Sequence, residues 1–297
     1  MEYAHPEMLM TTDQVEAILH DTEHYRIIEA DENPLLYSAG HIPGAVQVDW
    51  LTNFWHPVRR EFIEPEEFAR LCSRLGITPE TTVIFYGDQS NWWACHALWV
   101  FNYFGHSKCC IMDGGRSKWF NERKPVSWDV PTYPETNYPV PTIVSSIRAY
   151  RDDVLRHIER RGKLVDVRSR SEFDGVVTHN PDFPQESALR AGHIPGAINV
   201  PWNMAVRENG TFKTADELYR IYCNEGRLSP DDDVVVYCRI GERSSHTWFV
   251  LRYLLGFRSV RNYDGSWTEW GNLVGVPIER SSVSSTPAEP FMHTAES

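Results

Sequence analysis

Seven consecutive residues carry the chemistry of this chain: Cys238, Arg239, Ile240, Gly241, Glu242, Arg243 and Ser244. Cys238 ends an apolar run, Val234–Tyr237, and the stretch from Ser244 to Leu251 reads as a helix. Strand, tight loop and helix together aim successive backbone N–H groups at one spot. A thiol at that spot sits in the positive field of the helix N-terminus, with Arg239 and Arg243 beside it. Such surroundings lower a cysteine pKa by one to several units from about 8.5, which yields a thiolate at neutral pH. A lone free cysteine more often just caps a buried strand. The Gly-containing, arginine-flanked loop points instead to a nucleophile.

The other five cysteines, Cys72, Cys95, Cys109, Cys110 and Cys223, form no Cys-x-x-Cys pair and no Cys/His cluster with zinc spacing. They read as structural, and Cys109-Cys110 as strand core. Free thiols of this kind suit a reducing compartment.

The elements that position Cys238 come in two copies. His41-Ile42-Pro43-Gly44-Ala45 recurs as His193-Ile194-Pro195-Gly196-Ala197. Tyr103-Phe104-Gly105 matches Leu254-Leu255-Gly256, Asp113-Gly114 matches Asp264-Gly265, and Trp119 matches Trp270, all 151 residues apart. So long a period means tandem domains rather than a solenoid. Arg26–Glu29, Ala45–Val48, Thr82–Tyr86 and Cys109–Met112 read as strands of the first copy. A helix over Pro65–Leu75 begins with Pro and two glutamates. In the second copy Thr214-Ala215-Asp216-Glu217 is a capping box that opens a helix to about Asn224. Alternating strands and helices predict an α/β fold with a parallel sheet in each copy, active loops lying at the carboxyl ends of strands.

The expected organisation is a first domain over 1–124, a Pro-rich linker over 125–142, a second domain over 143–280 and a disordered tail over 281–297. At the position equivalent to Cys238 the first domain has Gly87, with Asp88 and Trp92 where the second has its arginines. That domain is expected to be catalytically silent and to wall the cleft, with His41 and Trp92 either facing it or packing locally.

At 297 residues the chain can bury two cores. A formal charge of −12 argues against nucleic acid or an anionic membrane as partner. No apolar window is long enough for a membrane span, and the N-terminus lacks signal-peptide features, so a cytoplasmic location is expected.

The Cys238–Arg243 loop resembles the active-site loop of the rhodaneses, the thiosulfate:cyanide sulfurtransferases. His193–Ala197, following Asp166-Val167-Arg168, is similar to a second motif of that family, and Asp264-Gly265-Ser266-Trp267-Thr268-Glu269-Trp270 to a third. The three occur in the family's order, and the resemblance covers nearly the whole chain. It implies two tandem rhodanese-like domains, each a parallel sheet flanked by helices. It also implies transfer of sulfane sulfur from a small anionic donor, thiosulfate, through a Cys238 persulfide. The acceptor would be cyanide, a thiol or a sulfur-carrier protein, and no metal or organic cofactor is needed. Backbone N–H groups from Arg239 to Ser244 would cradle the persulfide, Arg243 would anchor the loop and Arg239 would meet the donor's sulfonate.

Two rival activities share parts of this pattern. Cysteine-dependent phosphatases and arsenate reductases place five residues between Cys and Arg, whereas Cys238 and Arg243 have four between them. 3-Mercaptopyruvate sulfurtransferases usually carry an uncharged Cys-Gly-Ser-Gly loop, where this chain has Arg239, Ile240 and Gly241. Vertebrate rhodaneses have a substrate-facing arginine where this chain has Glu172; Arg168, Arg170 and Arg190 are the candidates to replace it.

Overall fold

The structure, a computed structural model, describes residues 1–180 and 187–281. Of the expected tail only Ser281 falls within them. Among the described residues the first half contributes strands β1 (Leu9–Met10), β2 (Tyr25–Glu29), β3 (Val46–Gln47), β4 (Thr82–Tyr86) and β5 (Cys109–Met112). The second contributes β6 (Lys163–Asp166), β7 (Ile198–Asn199), β8 (Asp233–Tyr237) and β9 (Ser259–Asn262). Each set forms its own parallel sheet, in the orders β1-β5-β4-β2-β3 and β7-β6-β8-β9. The central strands Thr-Val-Ile-Phe-Tyr and Asp-Val-Val-Val-Tyr are buried after their first residue. Such near-continuous apolar runs belong to parallel strands covered on both faces by helices.

The two units repeat one plan in atomic detail. The hydroxyls of Tyr86 and Tyr237, at the ends of the central strands, accept the Ile42 and Ile194 N–H groups at 3.0 and 3.1 Å. The Trp119 and Trp270 indoles are buried and donate to the carbonyls of Pro125 and Pro277. They differ at one edge. Where β1 pairs with β5, the second sheet has only a single bridge from Arg148 to Asn262.

The helix Trp92–Tyr103 of the first unit lies along the helix Glu242–Phe249 of the second. Its sequence, Trp-Trp-Ala-Cys-His-Ala-Leu-Trp-Val-Phe-Asn-Tyr, is apolar nearly all round, the composition of a helix packed on every side. One hydrophobic core therefore runs through both units, and each unit has a smaller buried cluster of its own beside it. The Pro-rich segment after Lys124 is not free: Ser127 pairs with His41, Tyr133 donates to the Gly44 carbonyl at 2.6 Å, and Tyr138 is buried.

A buried ion network also joins the units. The Arg148 guanidinium grips Asp264 through Nε–Oδ1 (2.9 Å) and Nη2–Oδ2 (3.1 Å), with 3 % and 4 % of the two side chains exposed. From the first unit Glu61 pairs with Arg148, and Arg60 reaches Asp264 Oδ2 at 3.3 Å. Burial opposes ionisation of Asp264, but Arg148 and then Arg60 hold its carboxyl below the usual carboxylate range. Arg148→Ala strands that carboxylate and should cost about 3–5 kcal/mol of stability in urea denaturation. Because the folded pKa of Asp264 lies below its unfolded value of about 3.9, the pair's contribution is complete above that pH and fades as pH falls through the folded value. The wild-type advantage over the variant should thus be full where Asp264 is ionised in both proteins and shrink as pH falls through the raised pKa of its uncovered carboxyl in the variant.

Candidate active site

Strand β8 ends at Tyr237, and the helix Glu242–Phe249 starts four residues after Cys238, so the intervening loop must turn within a few residues. Gly241 makes that turn at φ 106°, and a Cβ there would meet the Asp264 Cβ at 2.8 Å. The other end is fixed by Ser266, itself in the left-handed region at φ 53°. Its hydroxyl accepts the Cys238 N–H at 3.0 Å and donates to the Tyr263 carbonyl at 2.6 Å.

Cys238 is completely buried. Its Sγ receives the Gly241 N–H at 3.2 Å, and Ser244 Oγ, shared with Asn262 Oδ1 at 2.7 Å, lies 3.4 Å away. This is the expected cradle in part. The thiol is not depressed as expected, however. Burial pushes its pKa up, and the Glu242 carboxylate pushes it further, outweighing Arg243 and Ser244. The reason is where Glu242 points. Its side chain folds back into the loop, so that Oε2 accepts from the Cys238 thiol (3.2 Å) and from the Ile240 N–H (3.3 Å). Its other oxygen, Oε1, faces Arg239 Nε at 3.3 Å and Arg243 Nε at 3.4 Å.

Arg243 makes a second, forked pair with Glu172, at 3.2 and 3.3 Å. Burial works against Glu172, but Arg243 keeps its carboxyl low. Glu172 therefore anchors a loop arginine in the position where an arginine had been looked for. Arg168 is buried against Asp166 and the Gly192 carbonyl, Arg170 is exposed and pairs with Asp174, and Arg190 is exposed.

Two cavities border the loop. One, of about 580 Å³, runs between Gln89 and Trp92 of the first unit and Ser169, Glu172, Trp202 and Arg243 of the second. The other, of about 550 Å³, is lined by Trp55, Arg60, Arg148, Ile240, Asp264 and Thr268 among others. Trp92 thus faces the site, with the Arg243 guanidinium 5.9 Å from its ring centroid. His41 does not: it stacks on Tyr37 and bonds to the Tyr37 and Asp129 carbonyls. Arg60, which sequence reasoning missed, stacks on Trp55 and donates to the Ile240 carbonyl at 3.3 Å. No local pattern marked it, because its target lies 180 residues away. Ser266 and Asp264 did carry a signal, since they fall in the Asp264–Trp270 motif, but their contact with the loop was not foreseen.

The first unit's equivalent loop is built otherwise. Gly87 has no room for a side chain, since a Cβ would lie 1.9 Å from the Ala30 carbonyl oxygen. Gln89, Ser90 and Asn91 are all left-handed, Asp31 accepts the Asp88 N–H, and Asp88 in turn accepts the Glu32 N–H from the segment after β2. Burial, then Asp31, raises the Asp88 carboxyl to about 6. The remaining cysteines lack such surroundings: burial raises Cys110 to about 12 and Cys223 to about 11. Among the described residues no group of three or more His, Cys, Asp or Glu is placed to hold a metal, and no helix is long and apolar enough to cross a membrane.

Two parallel α/β units in tandem, with a cysteine cradled by backbone at the head of a helix in one of them, define a class of cysteine-based group-transfer proteins. Comparison with known proteins names the family. The rhodanese-like domain is matched twice, over residues 11–122 and 151–273, and the chain belongs to the rhodanese family. It is 58% identical to the sulfur carrier protein TtuD of Thermus thermophilus, over 94% of this chain and 99% of that one. It is 49% identical to the thiosulfate sulfurtransferase of Corynebacterium glutamicum, over 94% and 92%. Among solved structures it resembles a persulfide form of EanB with ergothioneine, at 26% identity and a TM-score of 0.79, covering 94% of this chain and 71% of that one.

The loop turn has a direct test in Gly241→Ala, set against Gly196→Ala. Both glycines are left-handed, but nothing lies within 4 Å of a Cβ at Gly196. Gly196→Ala should lose only the backbone penalty of about 1–2 kcal/mol. Gly241→Ala should lose at least about 1 kcal/mol more in the same urea titration, because Asp264 must also move.

Proposed function

We propose that this chain is a sulfurtransferase that moves sulfane sulfur from thiosulfate to a thiophilic acceptor through a persulfide on Cys238. The observation that carries this is the setting of Cys238 Sγ, which accepts a backbone N–H and lies beside Ser244, with the Arg243 guanidinium close by in the loop. The thiosulfate sulfurtransferase named above supports the donor, and the sulfur carrier protein favours a thiol or protein acceptor over cyanide. The Cys238 thiolate attacks the outer sulfur of thiosulfate, the S–S bond to the sulfonate breaks, and sulfite leaves with the bonding pair. Cys238-S-S⁻ remains, and the acceptor removes its terminal sulfur. The anionic sulfur is met by the Gly241 N–H of the cradle, which needs no reorganisation, and by the Ser244 hydroxyl once it turns its proton from Asn262 Oδ1 to the sulfur.

Arg239 is the residue assigned to the sulfonate, since a guanidinium suits an oxygen-rich anion. It now faces Glu242 and would exchange that carboxylate for the donor. Arg243, forked onto Glu172, holds the loop. The first unit supplies walls and no nucleophile, and the protein acts in the cytoplasm. Ile240 offers no hydroxyl at the loop position where mercaptopyruvate enzymes carry one, which favours thiosulfate.

Treating the protein with thiosulfate should raise its intact mass by about 32 Da, one sulfur in a persulfide. Peptide mapping should place it on Cys238, and cyanide should remove it. Cys238→Ser should neither take up sulfur nor turn over, whereas Cys110→Ser should do both. The wild type should have a higher kcat/KM for thiosulfate than for 3-mercaptopyruvate. Arg239→Ala should lose about tenfold or more on thiosulfate, the worth of one charge-assisted contact of about 1.5–3 kcal/mol. Sulfur found on another cysteine, or full activity of Cys238→Ser, refutes the assignment.

A further inference from the structure

Glu242 is the charged residue of the loop whose side chain touches the reacting atom from inside the cradle. Its carboxylate is completely buried, accepts from the Cys238 thiol and the Ile240 N–H through Oε2, and holds Arg239 and Arg243 through Oε1. Arg239, Arg243, Glu172 and Glu242 together sum to zero charge, so the resting loop has no positive surplus to offer a thiolate. A sulfur added to Cys238 creates an anion about 2 Å from Sγ. That places it within reach of Glu242 Oε2, where a carboxylate repels it and a carboxylic acid donates to it.

We propose that Glu242 is the built-in anion of the sulfur cradle and the base of the reaction, taking the Cys238 proton as the donor is attacked and returning it when the sulfur leaves. The proposal rests on the sulfur-transfer reading of Cys238. In the first half-reaction the S–H bond breaks, its proton goes to Glu242 Oε2, and the sulfur's electron pair forms the new S–S bond. Cys238-SH, Glu242-COO⁻ and thiosulfate dianion become Cys238-S-S⁻, Glu242-COOH and sulfite dianion, with total charge unchanged. In the second, cyanide takes the terminal sulfur as thiocyanate, the S–S pair returns to Sγ, and Sγ recovers the proton from Glu242. The proton never leaves the loop, which is what a fully buried sulfur demands.

The groups that set this balance are on hand. Burial opposes the charge on Glu242, yet Arg239 and Arg243 hold its carboxyl down at about 2, so at rest the proton stays on sulfur. Arg243 is shared with Glu172 from the short helix Arg170–Phe173. From the first unit Glu32 and His96 feel Glu242 across the interface, Glu32 being raised by burial and His96 kept neutral by it, at about 4. A dianionic donor that draws the guanidinium groups toward its sulfonate releases Glu242 to accept the proton.

Glu242→Gln tests this, because it keeps the shape of the side chain but leaves Arg239 and Arg243 with a surplus of positive charge. The thiol should titrate at least about one unit lower, so that iodoacetamide alkylates Cys238 at pH 7 at least about tenfold faster than in wild type. With thiosulfate and cyanide kcat should fall at least tenfold, and the limb of the pH–rate profile set by the thiol should move to lower pH with the alkylation rate. An alkylation profile that superimposes on wild type, or an unchanged kcat, overturns the proposal. Should circular dichroism show the Gln variant unfolded, Glu242→Asp decides. Drawing the carboxylate back by one methylene should shift alkylation in the same direction, and no shift overturns the proposal. Intact-mass analysis of the wild type separates the two readings. With the Cys238 persulfide present and the variants unmoved, only the role of Glu242 falls; with no persulfide, both fall.

Discussion

Burying a charge costs several kcal/mol unless a partner and hydrogen bonds replace the lost water, and the Cys238 loop buries four. Arg239, Glu242, Arg243 and Glu172 are each at most 4 % exposed. They survive there because each guanidinium meets a carboxylate, and because Glu242 turns inward to serve both arginines at once. The neutrality that lets the loop exist also removes the positive field that a thiolate at a helix N-terminus ordinarily enjoys. On the proposed reading, chemistry at Cys238 depends on rearranging charge already inside the loop.

The same constraint explains why the first unit is present although Gly87 stands where the second unit has its thiol. A loop this dry needs cover from every side. The helix Trp92–Tyr103 lies along the helix that follows Cys238, Trp92 walls the cavity beside Arg243, and Arg60 ties the Ile240 carbonyl to the Asp264–Arg148–Glu61 network. In the first unit the comparable loop is tied by Asp31 and Asp88 to the segment after β2 and is closed by the Ala30 backbone. One unit has been filled and the other kept open by using the same strand–loop–helix plan with different side chains.

Much of this was written locally. The apolar central strands, the capping box at Thr214, the cysteine after Tyr237 and the repeated His-Ile-Pro-Gly-Ala motif each report on neighbours a few residues away, and they placed the two parallel sheets and the loop between β8 and its helix. The exchange of Cys238 for Gly87 was legible for the same reason, since aligning two copies needs only their spacing. The helix Trp92–Tyr103 was not read from the sequence, and its partner, the helix Glu242–Phe249, lies about 150 residues further along the chain.

What only the tertiary structure decided are contacts between residues distant in sequence, and the direction of one side chain. Whether Glu242 faces solvent or the thiol depends on Arg239, Arg243 and Gly241 being turned toward one point, and Glu172 reaches Arg243 across 71 residues. The expectation of a depressed Cys238 pKa came from counting cations along the chain, which ignores burial and an inward carboxylate. Arg60 and Asp264 are 204 residues apart, and no pattern along a chain encodes such a pairing. Sequence determines which elements form and which chemistry they bring. Packing determines which charges meet without water, and so what that chemistry can do.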